Sequence, residues 1–210
     1  MSKSVGGWGV NDSSEPIGSR SSGTFKIVCP YYVRWAAMIN RAHNPVYQEV
    51  QKTYQGVVIC EEWRFFSNFK AWMEQQDWED YQLEKDILGD GKLYSPETCC
   101  FVPQRFNALL TQRGNARGDY PLGVHYNKAR KPYKATCHDG TGHVYLGRFC
   151  CPYEAHKAWQ QKKISVIRHS VRDWMESSRP PHRQEIPEAL LSKASKIESD
   201  LLTGKVTENF

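Results

Sequence analysis

The chain reads as an α+β protein, and three stretches predict this class. Leu83–Asn107 (LEKDILGDGKLYSPETCCFVPQRFN) runs as strand, Gly-Asp-Gly turn, strand and helix start. Glu61–Gln76 repeats Trp63, Phe66, Phe69, Trp72 and Met73 along one helical face. Leu122–Phe149 breaks into three short apolar segments ahead of a helix opened by Pro152. The expected architecture is a hairpin-plus-helix on a helical layer, then a three-stranded sheet with its own helix, then a C-terminal helix.

Residues 1–24 are rich in Ser and Gly with few large apolar groups, so a disordered tail is expected there. Order is expected from Phe25 onward. Pro30 can open a helix, and Tyr31, Trp35, Met38 and Ile39 fall at helical spacing until Asn44-Pro45 breaks it. Tyr47–Tyr54 fits either a short helix or an irregular link, and Val57–Cys60 a short strand. The Glu61–Gln76 helix carries Glu61 and Glu62 in its first turn, where the helix dipole favours anions. Its aromatic stripe is core material, expected to pack under the Leu83–Asn107 hairpin.

That hairpin is expected as a strand over Leu83–Leu88, a turn at Gly89–Gly91, a polar link through Tyr94-Ser95-Pro96, a second strand over Cys99–Val102 and a helix from Pro103. Leu109–Tyr120 holds two Gly and little apolar material and reads as a linker. Beyond it the strands are Gly123–Tyr126, Tyr133–Cys137 and His143–Phe149, the last two joined by an Asp139-Gly140 turn, the strongest short hairpin signal. The Pro152 helix carries Ala155, Ala158, Trp159, Ile164, Ile167, Val171 and Trp174 and stops before Arg179-Pro180-Pro181. A last helix spans Pro187 to about Leu202, with Gly204 as its cap. The expected domains are 25–112, a linker at 113–121, 122–178, and a C-terminal helix and tail at 179–210.

Charge separates the two halves. Val46–Cys100 holds 5 Lys/Arg against 11 Asp/Glu, whereas Pro103–Arg172 holds 13 against 3. Basic density of that kind, interleaved with aromatics, suggests a polyanion, most simply nucleic acid. No apolar run approaches the roughly 20 residues needed to span a bilayer, and no apolar signal core opens the chain, so a cytoplasmic protein without membrane contact is expected. Of the seven Cys, Cys99-Cys100 and Cys150-Cys151 are vicinal pairs. Cys29, Cys60 and Cys99 with His43 make a conceivable Zn²⁺ set, but no Cys-x-x-Cys spacing supports it, and buried thiols are the preferred reading. His138 and His143 flank the Asp-Gly turn and are expected to face solvent.

Leu83–Asn107 resembles the HNH nuclease motif of bacteriophage homing-type endonucleases, in which a ββα-metal hairpin holds one divalent ion. The resemblance places the family's Asp-His pair on Glu84-Lys85-Asp86, read either as Glu84-Lys85 or, with Ile87 following in the family's style, as Lys85-Asp86. It places the family's corner Asn at Thr98 and its closing Asn at Asn107. It implies Mg²⁺ or Mn²⁺ on Glu84, Asp86 and Asn107, with Asp86, Lys85 and Asn107 as catalytic candidates. The family's general-base His has no counterpart, since no His occurs between Asn44 and Val124. Two readings therefore stay open: a site-specific double-stranded DNA endonuclease, or a DNA-binding protein on a retired nuclease scaffold.

Gly123–Ile164 resembles the DNA-binding domain of plant Apetala-type and ethylene-response factors, which also occurs joined to phage HNH modules. The matching segments are Gly123–Tyr126, Tyr133-Lys134-Ala135, Tyr145–Phe149 and Glu154–Ala158. The resemblance implies a three-stranded sheet in the major groove, with Lys128, Arg130, Lys131, Tyr133, Lys134 and Arg148 contacting double-stranded DNA. A phage origin would put the protein in host cytoplasm. It also allows a third reading, an inhibitor that binds a host protein through the acidic block Glu74–Asp90.

Overall fold

The computed structural model describes residues 4–21, 24–27, 29–110 and 119–210. Among the described residues the fold is mixed α+β, with six α-helices and several small sheets. It divides into two units, Met1–Phe101 and Val102–Phe210.

The N-terminal stretch expected as a disordered tail is built into the first unit. Strands β1 (Ser4–Val5) and β2 (Gly9–Val10) form an antiparallel hairpin, and β3 (Gly18–Ser21) pairs with β4 (Thr24–Ile27). The physical reason is local. The turn glycines Gly6 and Gly7 take positive φ, and a Cβ at Gly9 would collide with Ile39 and Trp35. Glycines that suggested low complexity are thus the positions that let this segment lie against the core. Trp8 then stacks on His43, ring centroids 4.6 Å apart.

Helix α1 (Pro30–His43) starts on Pro30, whose missing N–H costs nothing in a first turn. It buries Trp35, Met38 and Ile39 completely. Helix α2 (Pro45–Val50) is capped by Asn44, whose side chain accepts the Tyr47 amide. Strand β5 (Val58–Ile59) leads into a 3₁₀ turn at Glu61–Arg64 and then α3 (Phe66–Glu74). The expected single helix is therefore broken at Phe65. The break is mended from a distance: Asp12 takes the Ser67 amide at 2.9 Å and its hydroxyl at 2.6 Å, supplying the cap that Phe65 cannot. Trp63, Phe66, Phe69 and Met73 are buried as expected, and the Trp35 indole donates to the Trp63 carbonyl at 2.7 Å.

The Leu83–Asn107 stretch forms three short strands and a helix rather than the expected two strands and a helix. Strand β6 (Gln82–Glu84) shares a two-stranded sheet with β8 (Cys100–Val102). Between them β7 (Leu93–Tyr94), expected as a polar link, pairs in parallel with β5. Helix α4 (Gln104–Leu110) follows. The expected strand to Leu88 ends at Glu84 because the Glu84 carboxylate accepts the amides of Lys85 and Asp86 at 2.8 and 2.9 Å. A side chain that satisfies the next two amides turns the backbone out of the ladder.

In the second unit, β9 (Val124–Tyr126), β10 (Tyr133–His138) and β11 (His143–Phe149) form an antiparallel sheet in the order β11-β10-β9. Val124 and Ala135 turn inward onto Ala155 of α5 (Pro152–Met175). Gly123 has φ +77°, and a Cβ there would strike the Trp159 indole, so only glycine brings β9 this close to the helix. Helix α6 (Glu185–Leu202) packs along α5, burying Ile186, Leu190, Ala194 and Ile197, and Gly204 (φ +68°) ends it. Phe106 of α4 lies against Trp174, centroids 4.9 Å apart. The expected linker, 113–121, lies mostly outside the described residues.

Candidate nucleic-acid interface

One face of the three-stranded sheet is covered by α5, so strand alternation assigns every second residue to the other face. Ala135 and Cys137 are buried against the helix. Lys134, Thr136 and His138 must then point away from it. The register extends this face across the sheet in rows. His125 of β9 stands opposite Lys134, and Lys134 stands opposite Arg148 of β11. Thr136 stands opposite Tyr145, and His138 opposite His143. A bulge between Ala135 and Thr136 adds one residue to β11, which returns Leu146 to the core side and keeps Tyr145 outward.

The face is basic, aromatic and open. Tyr145 is 59 % exposed, and the Lys134 ammonium lies 5.9 Å from its ring centroid. The Arg148 guanidinium donates to the Lys131 carbonyl at 3.3 Å, tying the centre of the face to the exposed β9–β10 loop that carries Lys128, Arg130 and Lys131. The His125 ring Nε2 lies 3.1 Å from the Thr136 hydroxyl. The one carboxylate at the edge of this surface, Asp139, is turned into its own hairpin: it accepts the Thr141 and Gly142 amides and the Thr141 hydroxyl. Those bonds hold its pKa down at about 2, so it stays ionised, with its charge held by donors of its own turn.

Of the six DNA-contact residues expected from sequence, five lie on this face or its loop. Tyr133 does not. It sits in phase with Ala135, packs on the α5 side and meets Tyr120 and Tyr126 at ring distances of 5.6 and 5.8 Å. Its period-2 position decides this: a residue two from a buried alanine shares the alanine's face.

The hairpin residues are held differently. Glu84 is 6 % exposed and spends one oxygen on two backbone amides. Burial, followed by the nearby Asp86 charge, pushes its pKa up. The Lys85 ammonium meets Asp86 at 2.5 Å and lies over the rings of Tyr54 and Tyr94, at 5.4 and 5.7 Å. A cation of the protein's own, the Lys85 ammonium, thus pairs with Asp86 where the resemblance would put Mg²⁺ or Mn²⁺, and one Glu84 oxygen is already taken by two backbone amides. The residues present do not fit the metal. Thr98, at the expected corner-Asn position, donates to the Leu93 carbonyl at 2.7 Å and closes the Ser95–Thr98 turn. Asn107 is half-buried on α4, in the second unit.

No family model, curated protein or solved structure matches this chain.

Among the described residues no group of three or more His, Cys, Asp or Glu is gathered for a metal. His43 is committed to Trp8, and burial raises the thiol pKa of Cys60 to about 11 and of Cys99 to about 12. Likewise, no described helix is long and apolar enough to cross a membrane. The residues of this candidate face that sequence reasoning missed are His125, Thr136 and Tyr145. Their signal was present as strand alternation, but reading it required knowing which face the helix covers and where the bulge falls.

Proposed function

We propose that this chain is a double-stranded-DNA-binding protein that engages the duplex through the outer face of its three-stranded sheet. The observation that carries this reading is the cross-strand row His125–Lys134–Arg148 beside exposed Tyr145, with Lys128, Arg130 and Lys131 on the adjoining loop. Two cations directly opposite each other cost stability in an isolated sheet. An opposing polyanion reverses that cost. A three-stranded sheet is too broad for the minor groove, about 6 Å wide, and suits the major groove, about 12 Å wide. Lys134 and Arg148 would reach base edges, while the loop cations take phosphates and fix the register. The resemblance to Apetala-type domains supports the same assignment.

An endonuclease, the other reading, has less support in this geometry. It rests on the HNH resemblance of Leu83–Asn107, and there Lys85 already neutralises Asp86 while Glu84 is spent on backbone amides. The non-catalytic alternative, a regulatory or accessory DNA binder, fits this geometry better. The test is mobility shift on random and selected duplexes with wild type beside Lys134→Gln and Arg148→Gln. Binding that weakens in both variants supports the proposal, and binding unaffected by either removes the sheet as the interface.

A further inference from the structure

The row across the sheet contains one group whose charge depends on pH. His125 on β9 is exposed and flanks Lys134, which in turn flanks Arg148. Its environment is unusual for a surface histidine. From β10 it faces the Lys134 ammonium and the Thr136 hydroxyl, and from β11 His143 bears on it. Helix α5 lies on the opposite face of the sheet and takes no part. No carboxylate is among the groups acting on the ring.

Partial desolvation of the ring, then Lys134 and His143, hold the His125 pKa below the ordinary value of 6.5. In free protein at neutral pH the ring is therefore uncharged. The hydroxyl of Thr136 can donate to the bare Nε2 or accept from a protonated one, so the contact at 3.1 Å survives either state. His138, at the far end of the face, differs. Its Nδ1 accepts the Gly140 amide at 3.0 Å, and adding a proton there would remove that bond. His125 can change charge without disturbing the fold.

We propose that His125 is a proton switch on the DNA-binding face: uncharged it leaves Lys134 and Arg148 as the cations of the row, and charged it supplies a third. This rests on the sheet being the DNA-binding surface. A phosphate brought against the ring favours the protonated form, so binding takes up a proton. Affinity then rises as pH falls through the range between the bound and free pKa values and levels off below the free value.

The experiment is fluorescence anisotropy of the full chain on a fixed duplex, at about pH 7.5 and about pH 5.5 at constant ionic strength. The proteins are wild type, His125→Gln, His143→Gln and Lys134→Gln/Arg148→Gln. Wild type is expected to bind roughly tenfold tighter at the lower pH, with a salt slope steeper by up to about 0.9, one added phosphate contact. His125→Gln keeps the circular dichroism spectrum and loses most of the gain between the two pH values. A pH response unchanged in His125→Gln overturns the switch while leaving the interface standing. Wild-type binding that ignores both pH and the Lys134→Gln/Arg148→Gln change overturns the interface itself.

Discussion

Lys134 and Arg148 stand directly opposite each other across β10 and β11, two cations sharing one row of an exposed sheet face. Like charges so placed destabilise a sheet by roughly 0.2–1 kcal/mol, and nothing on the adjoining strand offsets them, because the third member of the row is His125. Function and stability therefore pull apart at this pair. Lys134→Gln or Arg148→Gln should leave the melting temperature unchanged or slightly raised while weakening duplex binding several-fold. Calorimetry and anisotropy on the same samples check it; a substitution that lowers stability and leaves binding intact would assign the pair a structural role.

The loop cations act through phosphates. Lys128, Arg130 and Lys131 are all exposed between β9 and β10. Replacing each with Gln should reduce the slope of log affinity against log salt by about 0.9, evenly across duplex sequences. Lys134 and Arg148 variants should instead change the preference among sequences. Titrations between roughly 50 and 200 mM salt on two unrelated duplexes separate the two behaviours.

The N-terminal hairpin is stapled to the first unit by a pair that acid should release. Trp8 stacks on His43, and burial of that imidazole holds its pKa below the ordinary 6.5, with Glu61 opposing only in part. A histidine kept neutral in the fold contributes stability that is complete above the unfolded pKa and is lost as pH falls below it. Trp8 should therefore loosen progressively below about pH 6.5, seen as a red shift of its fluorescence, and His43→Phe should flatten that change. The opposite trend, tighter packing in acid, would mean that the ring is charged in the folded state.

Asp12 should matter to α3 although it lies far from it in sequence. Burial opposes its ionisation, but the Ser67 hydroxyl and amide outweigh that and set its pKa below the usual 3.8. Asp12→Ala removes the carboxylate that caps this helix and should cost about 1 kcal/mol, measurable by urea denaturation. The contribution is present above the unfolded pKa and lost as pH falls through the folded one.

Much of this fold was legible in the sequence. The aromatic periodicity of Trp63, Phe66, Phe69 and Met73 marked the core, and Asp139-Gly140 marked the β10–β11 turn, because both signals act over a few residues. The N-terminal hairpin was not legible. Its glycines signal disorder unless the neighbours they approach, Ile39 and Trp35, are known. Tyr133 lies on the helix side of the sheet for a related reason. Its charge-rich neighbours resemble a binding strip, but its face is fixed by Ala135 and by the helix behind it. The role of Lys85 was hidden too, since sequence adjacency to Asp86 does not show that the two side chains neutralise each other.

The hairpin makes a further prediction. With Lys85 8 % exposed and its partner Asp86 at the surface, Asp86→Ala leaves a buried ammonium without its carboxylate. The cost should be about 1–3 kcal/mol, less than for a fully buried pair. Duplex affinity should not change, and neither Mg²⁺ nor EDTA should shift the melting temperature. Plasmid nicking that needs Mg²⁺ and disappears in Asp86→Ala would restore the nuclease reading.

The most direct measurement is the affinity of the purified chain for duplex DNA as a function of salt, with wild type compared against Lys134→Gln/Arg148→Gln. The sheet-face account predicts salt-sensitive binding by wild type, and in the double variant a loss of tenfold or more, on the scale of 1.4 kcal/mol per tenfold, with unaltered folding. Equal affinities for the two proteins, or no duplex binding by wild type at about 50 mM salt, would contradict it.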